Sequence, residues 1–151
     1  MRRRRTMVIL AVLILGSCAS PKGGAVVGVR SSPLGEGSMM LDDVGVMLPD
    51  QGFAPILARG CEFPCRGTFY VRTSSENQES IPVRLLRRSF DRTAVVSRLV
   101  EFQIIDIPPG PAGERQAEVT LRAKKESLSI YAVEKETGAQ LKIRTILFVG
   151  E

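Results

Sequence analysis

Apolar and polar residues alternate along much of the chain with a period of two. In residues 118–123 the apolar members are Val119, Leu121 and Ala123. Leu128, Ile130 and Ala132 alternate with Ser127, Ser129 and Tyr131, while Leu141 and Ile143 alternate with Lys142 and Arg144. Ile81, Val83 and Leu85 continue the pattern. Such alternation sends one side of an extended strand into a core and the other into water. Further apolar runs occur at 53–58, 68–71 and 95–104. Turn signals separate them at Arg59-Gly60, Arg66-Gly67, 74–77, 108–113 and Thr137-Gly138. About seven to eight short strands at this spacing predict an all-β fold, an antiparallel β-sandwich. Residues 89–98 could hold a turn or short helix, but their β-branched members disfavour a long one.

The first residues follow another rule. Arg2, Arg3, Arg4 and Arg5 precede an apolar run at 7–15. A basic head and a short apolar stretch make an export signal. The run is well short of the roughly 20 residues that a membrane-spanning helix needs. Leu15-Gly16-Ser17-Cys18 follows, and it resembles the bacterial lipobox. That resemblance implies a diacylglyceryl thioether on Cys18, cleavage before it and acylation of the new amine, which would fix the protein to a membrane. Ala19 stands where an Asp would retain a lipoprotein in the inner membrane. The expected location is therefore the cell envelope, on the outer membrane facing the periplasm. Residues 19–37 are rich in Gly, Ser and Pro, so they read as a flexible tether. The expected organisation is a signal peptide at 1–17, a lipidated Cys with linker at 18–38, and a sandwich at 39–151.

Export changes the meaning of the charge. The chain has 21 Lys+Arg and 16 Asp+Glu, a formal net charge of +5. Without the four leading arginines 17 basic residues face the same 16 acidic ones, so the mature chain is nearly neutral. The case for a nucleic-acid partner largely disappears. Arg87-Arg88 and Lys124-Lys125 read as solvated surface, and Asp42-Asp43 as a turn cap or a solvent-facing pair. The chain has no His, which removes Ser-His-Asp and Cys-His nucleophile pairs and His-ligated metal sites. No phosphate-cradling Gly-rich loop ending in Lys-Ser/Thr is present. The expectation is a protein that is not an enzyme, with no cofactor, metal or nucleotide.

Two stretches carry a more specific resemblance. Phe102-Gln103-Ile104-Ile105-Asp106-Ile107-Pro108-Pro109-Gly110-Pro111-Ala112-Gly113 is similar to a Gly-Ile-Pro-Pro-Ala-Pro-Arg-Gly segment of the 70-kDa heat-shock chaperones. After it come Ala117-Glu118-Val119-Thr120-Leu121, Leu128-Ser129-Ile130-Tyr131-Ala132 and Glu134-Lys135-Glu136-Thr137-Gly138, which resemble successive strands and a turn of that family's substrate-binding domain. Upstream, Glu76-Asn77-Gln78 before Ile81-Pro82-Val83 resembles the family's Asp-Asn-Gln and its following strand, and Phe63-Pro64 its Ile-Pro loop. The resemblance implies an eight-stranded sandwich that holds an extended peptide by backbone hydrogen bonds and takes one apolar side chain in a pocket. It places Ile81 at the pocket base, with Val83 next on the same strand. Val71 falls on the wall, Thr73 and Ser74 on the cradle loop, and Val46 and Pro49 on the opposing loop. Pro82 lacks an N–H in the pocket strand, and Pro49 stands where the family often has Met. The resemblance covers neither an ATPase domain nor a helical lid. It therefore implies ATP-independent binding of extended polypeptide, as a holdase or adaptor in the envelope, with fast exchange. The alternative is a structural or assembly lipoprotein that keeps the sandwich but not the groove, with an envelope protein as partner.

Cys61 and Cys65 remain. Four residues apart in a straight strand they lie about 13 Å apart, too far to bridge. Gly60 and Pro64 make a turn credible, and an exported protein meets oxidising conditions. A disulfide closing this loop is the expectation. A redox pair would more commonly use Cys-x-x-Cys, and zinc would need two further ligands.

Overall fold

The computed structural model describes residues 24–29 and 33–148. The signal segment and Cys18 lie outside them. All regular structure among the described residues is extended. The strands are β1 (Ala25–Gly28), β2 (Gly35–Glu36), β3 (Met39–Met40), β4 (Asp43–Met47), β5 (Phe53–Leu57), β6 (Cys65–Arg72), β7 (Ser80–Ser89), β8 (Val95–Ile105), β9 (Gln116–Lys124), β10 (Ser127–Glu134) and β11 (Gln140–Phe148). Eight of them form one antiparallel path, β5-β4-β7-β8-β11-β10-β9-β6, and β1 adds to β10. The all-β antiparallel expectation holds.

The path folds over at β11. Its first residues pair with β10, Leu141 with Ala132. From Lys142 onward it pairs with β8 instead. One layer is therefore β5-β4-β7-β8-β11 and the other β6-β9-β10-β1. Between them the inward residues make a single core. Val119, Leu121, Leu128, Ile130, Phe102, Ile104 and Leu85 are fully buried there. The alternation read in the sequence is the alternation seen: Ala117, Val119, Leu121 and Ala123 of β9 face inward.

Part of the segment that reads as a tether in the sequence is strand. Ala25–Gly28 pairs with residues 127–130 of β10, filling the edge that β11 leaves when it crosses to β8. Val27, Val29 and Leu34 are buried in the common core. The Gly-rich composition around them masked a Val-x-Val alternation. The Arg66-Gly67 turn is also absent, because both residues lie inside β6. Gly67 is there for close approach: a Cβ on it would stand 2.3 Å from the Ile56 carbonyl oxygen of β5. Residues 89–98 hold no helix; a bend at 91–93 joins β7 to β8.

Cys61 and Cys65 form a disulfide, with Cα atoms 6.0 Å apart. The loop that it closes packs on the β2–β3 hairpin. The Phe63 N–H donates to the Ser38 carbonyl and the Met40 N–H to the Cys61 carbonyl.

Candidate functional site

One end of the sandwich carries the loops 48–52, 73–79 and 106–115 and the turn 135–139. Beneath the first two of these loops the layer β4-β7-β8 opens. β4 pairs with β7 only at Asp43↔Arg88, Val44↔Arg87 and Gly45↔Leu86. β7 nevertheless pairs with β8 along its whole length, from Ser80↔Ile105 onward. Residues 80–85 of β7 thus have no ladder partner on the β4 side. Pro82 fits such a stretch, since a residue without an N–H can face that side at no cost in ladder bonds.

The residues singled out from the sequence fall around this opening. Ile81 and Val83 point inward from β7 and are only 6% and 7% exposed. Val46, on β4, and Val71, on β6, are half-buried and pack against the same core. Val46 is therefore a strand residue and not a loop residue. Pro49 is exposed in the 48–52 turn, where the Leu48 N–H donates to the Gly52 carbonyl at 2.8 Å. Met47 and Leu48 beside it are 48% and 43% exposed. Thr73 is buried and Ser74 is exposed. Pro49 lies in the loop 48–52, and Thr73 and Ser74 lie in the loop 73–79 at the same end of the sandwich.

The rim loop 73–79 is held by an amide. Gln78 Oε1 accepts the backbone N–H groups of Ser74 and Ser75, at 2.7 and 3.2 Å, and its Nε2 donates to the Ser80 carbonyl. Asn77 adopts φ +50°, a region that Asn tolerates better than most residues, and its N–H reaches the Gly110 carbonyl. Behind the loop, Arg115 ties three segments together. Its side chain donates to the Pro109 carbonyl, its own carbonyl accepts the Thr73 N–H, and Nη1 lies 3.7 Å from Glu134 Oε1. Glu134 takes the fourth inward position of β10 and is only 2% exposed. Its Oε2 accepts the Thr137 hydroxyl and the Thr137 N–H. The Thr137 hydroxyl, then its N–H, and more weakly Arg115 hold the Glu134 carboxyl below the usual range, against the opposing effect of burial. Thr73 Oγ1 is buried with no hydrogen-bond partner among the described residues.

Sequence reasoning missed the ion pairs that join β4 to β7. Asp42-Asp43 and Arg87-Arg88, read as surface, are paired. Arg87 Nε donates to Asp42 Oδ2 at 2.6 Å, and Arg88 Nε to Asp43 Oδ2 at 3.0 Å. Both carboxylates are buried, and the two arginine side chains are 16% and 29% exposed. Asp43 Oδ1 also accepts the Arg59 N–H. Phe53 and Phe90 flank the Arg88 guanidinium at 4.5 and 5.3 Å. The available signal was two like-charged dipeptides of opposite sign; their register across β4 and β7 was not available from local pattern. The clasp lies at the end of the short ladder away from the loops, and the stretch of β7 without a β4 partner begins past Gly45↔Leu86.

The fold thus defines an antiparallel β-sandwich domain whose β4–β7 ladder stops short of the loops at one end. The family model for Hsp70 protein matches residues 23–147. The chain belongs to the Hsp70 protein family. It is 26% identical over 136 residues to a heat shock 70 kDa protein of Emericella nidulans, covering 89% of this chain and 20% of the relative. It is 30% identical over 113 residues to the chaperone protein DnaK of Deinococcus radiodurans, covering 71% and 18%. The mitochondrial heat shock 70 kDa protein of Pisum sativum matches at 27% over 92 residues, covering 60% and 14%. The chain thus spans about a fifth or less of the length of these curated relatives.

Proposed function

We propose that this protein is a lipid-anchored module of the cell envelope that binds extended polypeptide without ATP. In this reading the cleft lies where β4 leaves residues 80–85 of β7 without a ladder partner, with Val46, Val71, Ile81 and Val83 as its apolar lining, and that gap in the ladder is the observation that carries it. An extended chain gains there from apolar burial and from the unpaired backbone of residues 80–85. Membership of a chaperone family supports polypeptide as the ligand class. The basic head, apolar run and Leu15-Gly16-Ser17-Cys18 support the anchor on Cys18. An outer-membrane position facing the periplasm follows from Ala19 at the next position. Chemistry on the bound chain has no place in this reading, so the module acts as a holdase or adaptor and not as an enzyme.

The test is fluorescence anisotropy of a labelled Leu-rich peptide with the unlipidated mature chain. The chain must begin before Gly24, because Val27 and Leu34 belong to the core. Saturable binding in the micromolar range, unchanged by ATP and weakened by a cleft-filling Val71→Trp in a protein of unaltered circular dichroism, supports the reading. The near-complete burial of Ile81 and Val83 favours a second reading, a structural lipoprotein whose groove is filled. Absence of saturable binding, together with capture of a defined envelope protein that Val71→Trp does not affect, selects that one.

A further inference from the structure

We propose that the loop end of the sandwich faces the bilayer, so that the cleft receives polypeptide lying at the membrane surface. This inference rests on the lipid-anchor reading above. It comes from where β1 sits and which way it runs.

Six residue steps separate Cys18 from Gly24. A fully extended chain covers about 20 Å in six steps. The anchor is therefore within about that distance of Gly24, whatever path the intervening residues take. Gly24 itself is closely fitted: a Cβ there would stand 2.3 Å from the Tyr131 ring and 2.8 Å from the Ile130 carbonyl oxygen. The point at which the chain leaves the sandwich is thereby set by contact with β10.

Strand registers place that point along the long axis. Ala25 pairs with Ile130. Ala132 pairs with Leu141, so Ile130 is level with Ile143, which pairs with Ile104, which pairs with Ile81. From that level β10 runs four residues toward the loop end, to Glu134, or about 13 Å. In the other direction β7 runs eight residues to Ser89, or about 26 Å, before the bend at 91–93 begins. β1 is antiparallel to β10, so the chain before Ala25 leaves in the direction of the loops. A reach of about 20 Å brings the anchor level with the loop end. The same reach, doubled back past β1, falls short of the far hairpin tip. The exit direction of β1 and the greater distance to the β7–β8 tip thus orient the anchor toward the loop end.

The experiment uses the lipidated protein extracted from membranes of the expressing cell and returned to phosphatidylcholine vesicles. Intact mass first establishes the acyl groups on Cys18. Single labels at Glu76→Cys, on the cleft rim, and Thr93→Cys, at the far tip, then report energy transfer to a headgroup acceptor. The expected result is clearly greater transfer from position 76. Equal transfer, or greater transfer from position 93, overturns the inference while leaving the anchor in place. An unacylated Cys18 removes the anchor reading and this inference with it. In a second arm one Leu-rich peptide is attached to the vesicle lipid through a five-residue or a forty-residue linker. A cleft facing the bilayer binds both about equally, whereas binding through the long linker alone overturns the inference. Failure of the free peptide as well as both linked forms counts against polypeptide binding, and the label positions still decide the orientation.

Discussion

β9 pairs with β10 at eight positions and with β6 at eight more, whereas β4 meets β7 at three. The first region is held by long unbroken ladders and a row of inward aliphatic residues. The second is a hairpin joined to the sandwich by a short ladder, two buried ion pairs and the packing of Val44 and Leu57. β5 adds a bulge at Val44/Gly45 and an edge proline, Pro55. Gly45 is required there, since a Cβ would stand 2.0 Å from the Ala54 carbonyl oxygen. The difference teaches that the scaffold and the cleft draw on separate sources of stability. The scaffold depends on area removed from water. The β4–β5 hairpin depends on charge in a specific register.

Truncation in the scaffold should have the largest effect. Leu121→Ala removes a fully buried side chain from β9 and is expected to cost about 3–4 kcal/mol of global stability by urea denaturation. Amide exchange should then quicken across all strands together. Asp43→Ala is expected to cost about 2–3 kcal/mol, since it leaves Arg88 without its carboxylate and the Arg59 N–H without its acceptor. Here exchange should quicken first in 43–57 and only later in 116–134. Uniform quickening in this variant would break the distinction between the two regions.

Acid should act on the brace behind the rim loop. The Glu134 carboxyl is held below its ordinary value, so the folded state binds fewer protons than the unfolded one near pH 4. The corresponding stability is fully present above the unfolded glutamate value of about 4.3 and is lost as pH falls through the lower folded value. The urea midpoint should fall between pH 5 and pH 3, and Thr137→Val should flatten that fall. A slope unchanged by Thr137→Val would show that other carboxylates carry the effect.

The smallest expected change lies at Asp106, which adopts φ +61° and pairs with Lys142 at 2.7 Å on the surface. Asp106→Gly should stay within about 0.5 kcal/mol of the wild type, because relief of the backbone offsets the lost ion pair and the greater freedom of the unfolded chain. Asp106→Val should cost about 1–2 kcal/mol, since a β-branched residue resists the left-handed region. Equal melting temperatures for the two variants would remove the left-handed constraint from the account.

What was legible in the sequence follows the same division. β9 and β10 announce themselves because their inward residues alternate without interruption, and β7 because its residues alternate as far as Leu85; each forms long ladders with its neighbours. The Asn77-Gln78 pair could be placed on a loop because it precedes such a strand. β1 was hidden, because three valines among glycines and prolines look like linker until β10 supplies the missing partner. Gly67 looked like a turn because the sequence does not show that a Cβ there would stand 2.3 Å from the Ile56 carbonyl oxygen of β5. The pairing of Asp42 with Arg87 and of Asp43 with Arg88 spans 45 residues, so no local pattern could report it. The groove residues were assigned from a family likeness, and their burial was not legible: Ile81 and Val83 turn out nearly covered.

The β1–β10 ladder has a mechanical consequence. Any tension arriving along the chain before Gly24 is directed nearly parallel to β1, so it loads the four rungs from Ala25↔Ile130 to Gly28↔Ser127 in shear. Rungs in shear share a force, whereas rungs opened from one end yield singly. A domain pulled by its N-terminal connection would therefore resist as a unit, and its first point of mechanical failure would be the detachment of this one short strand, with the eight-strand path behind it still closed.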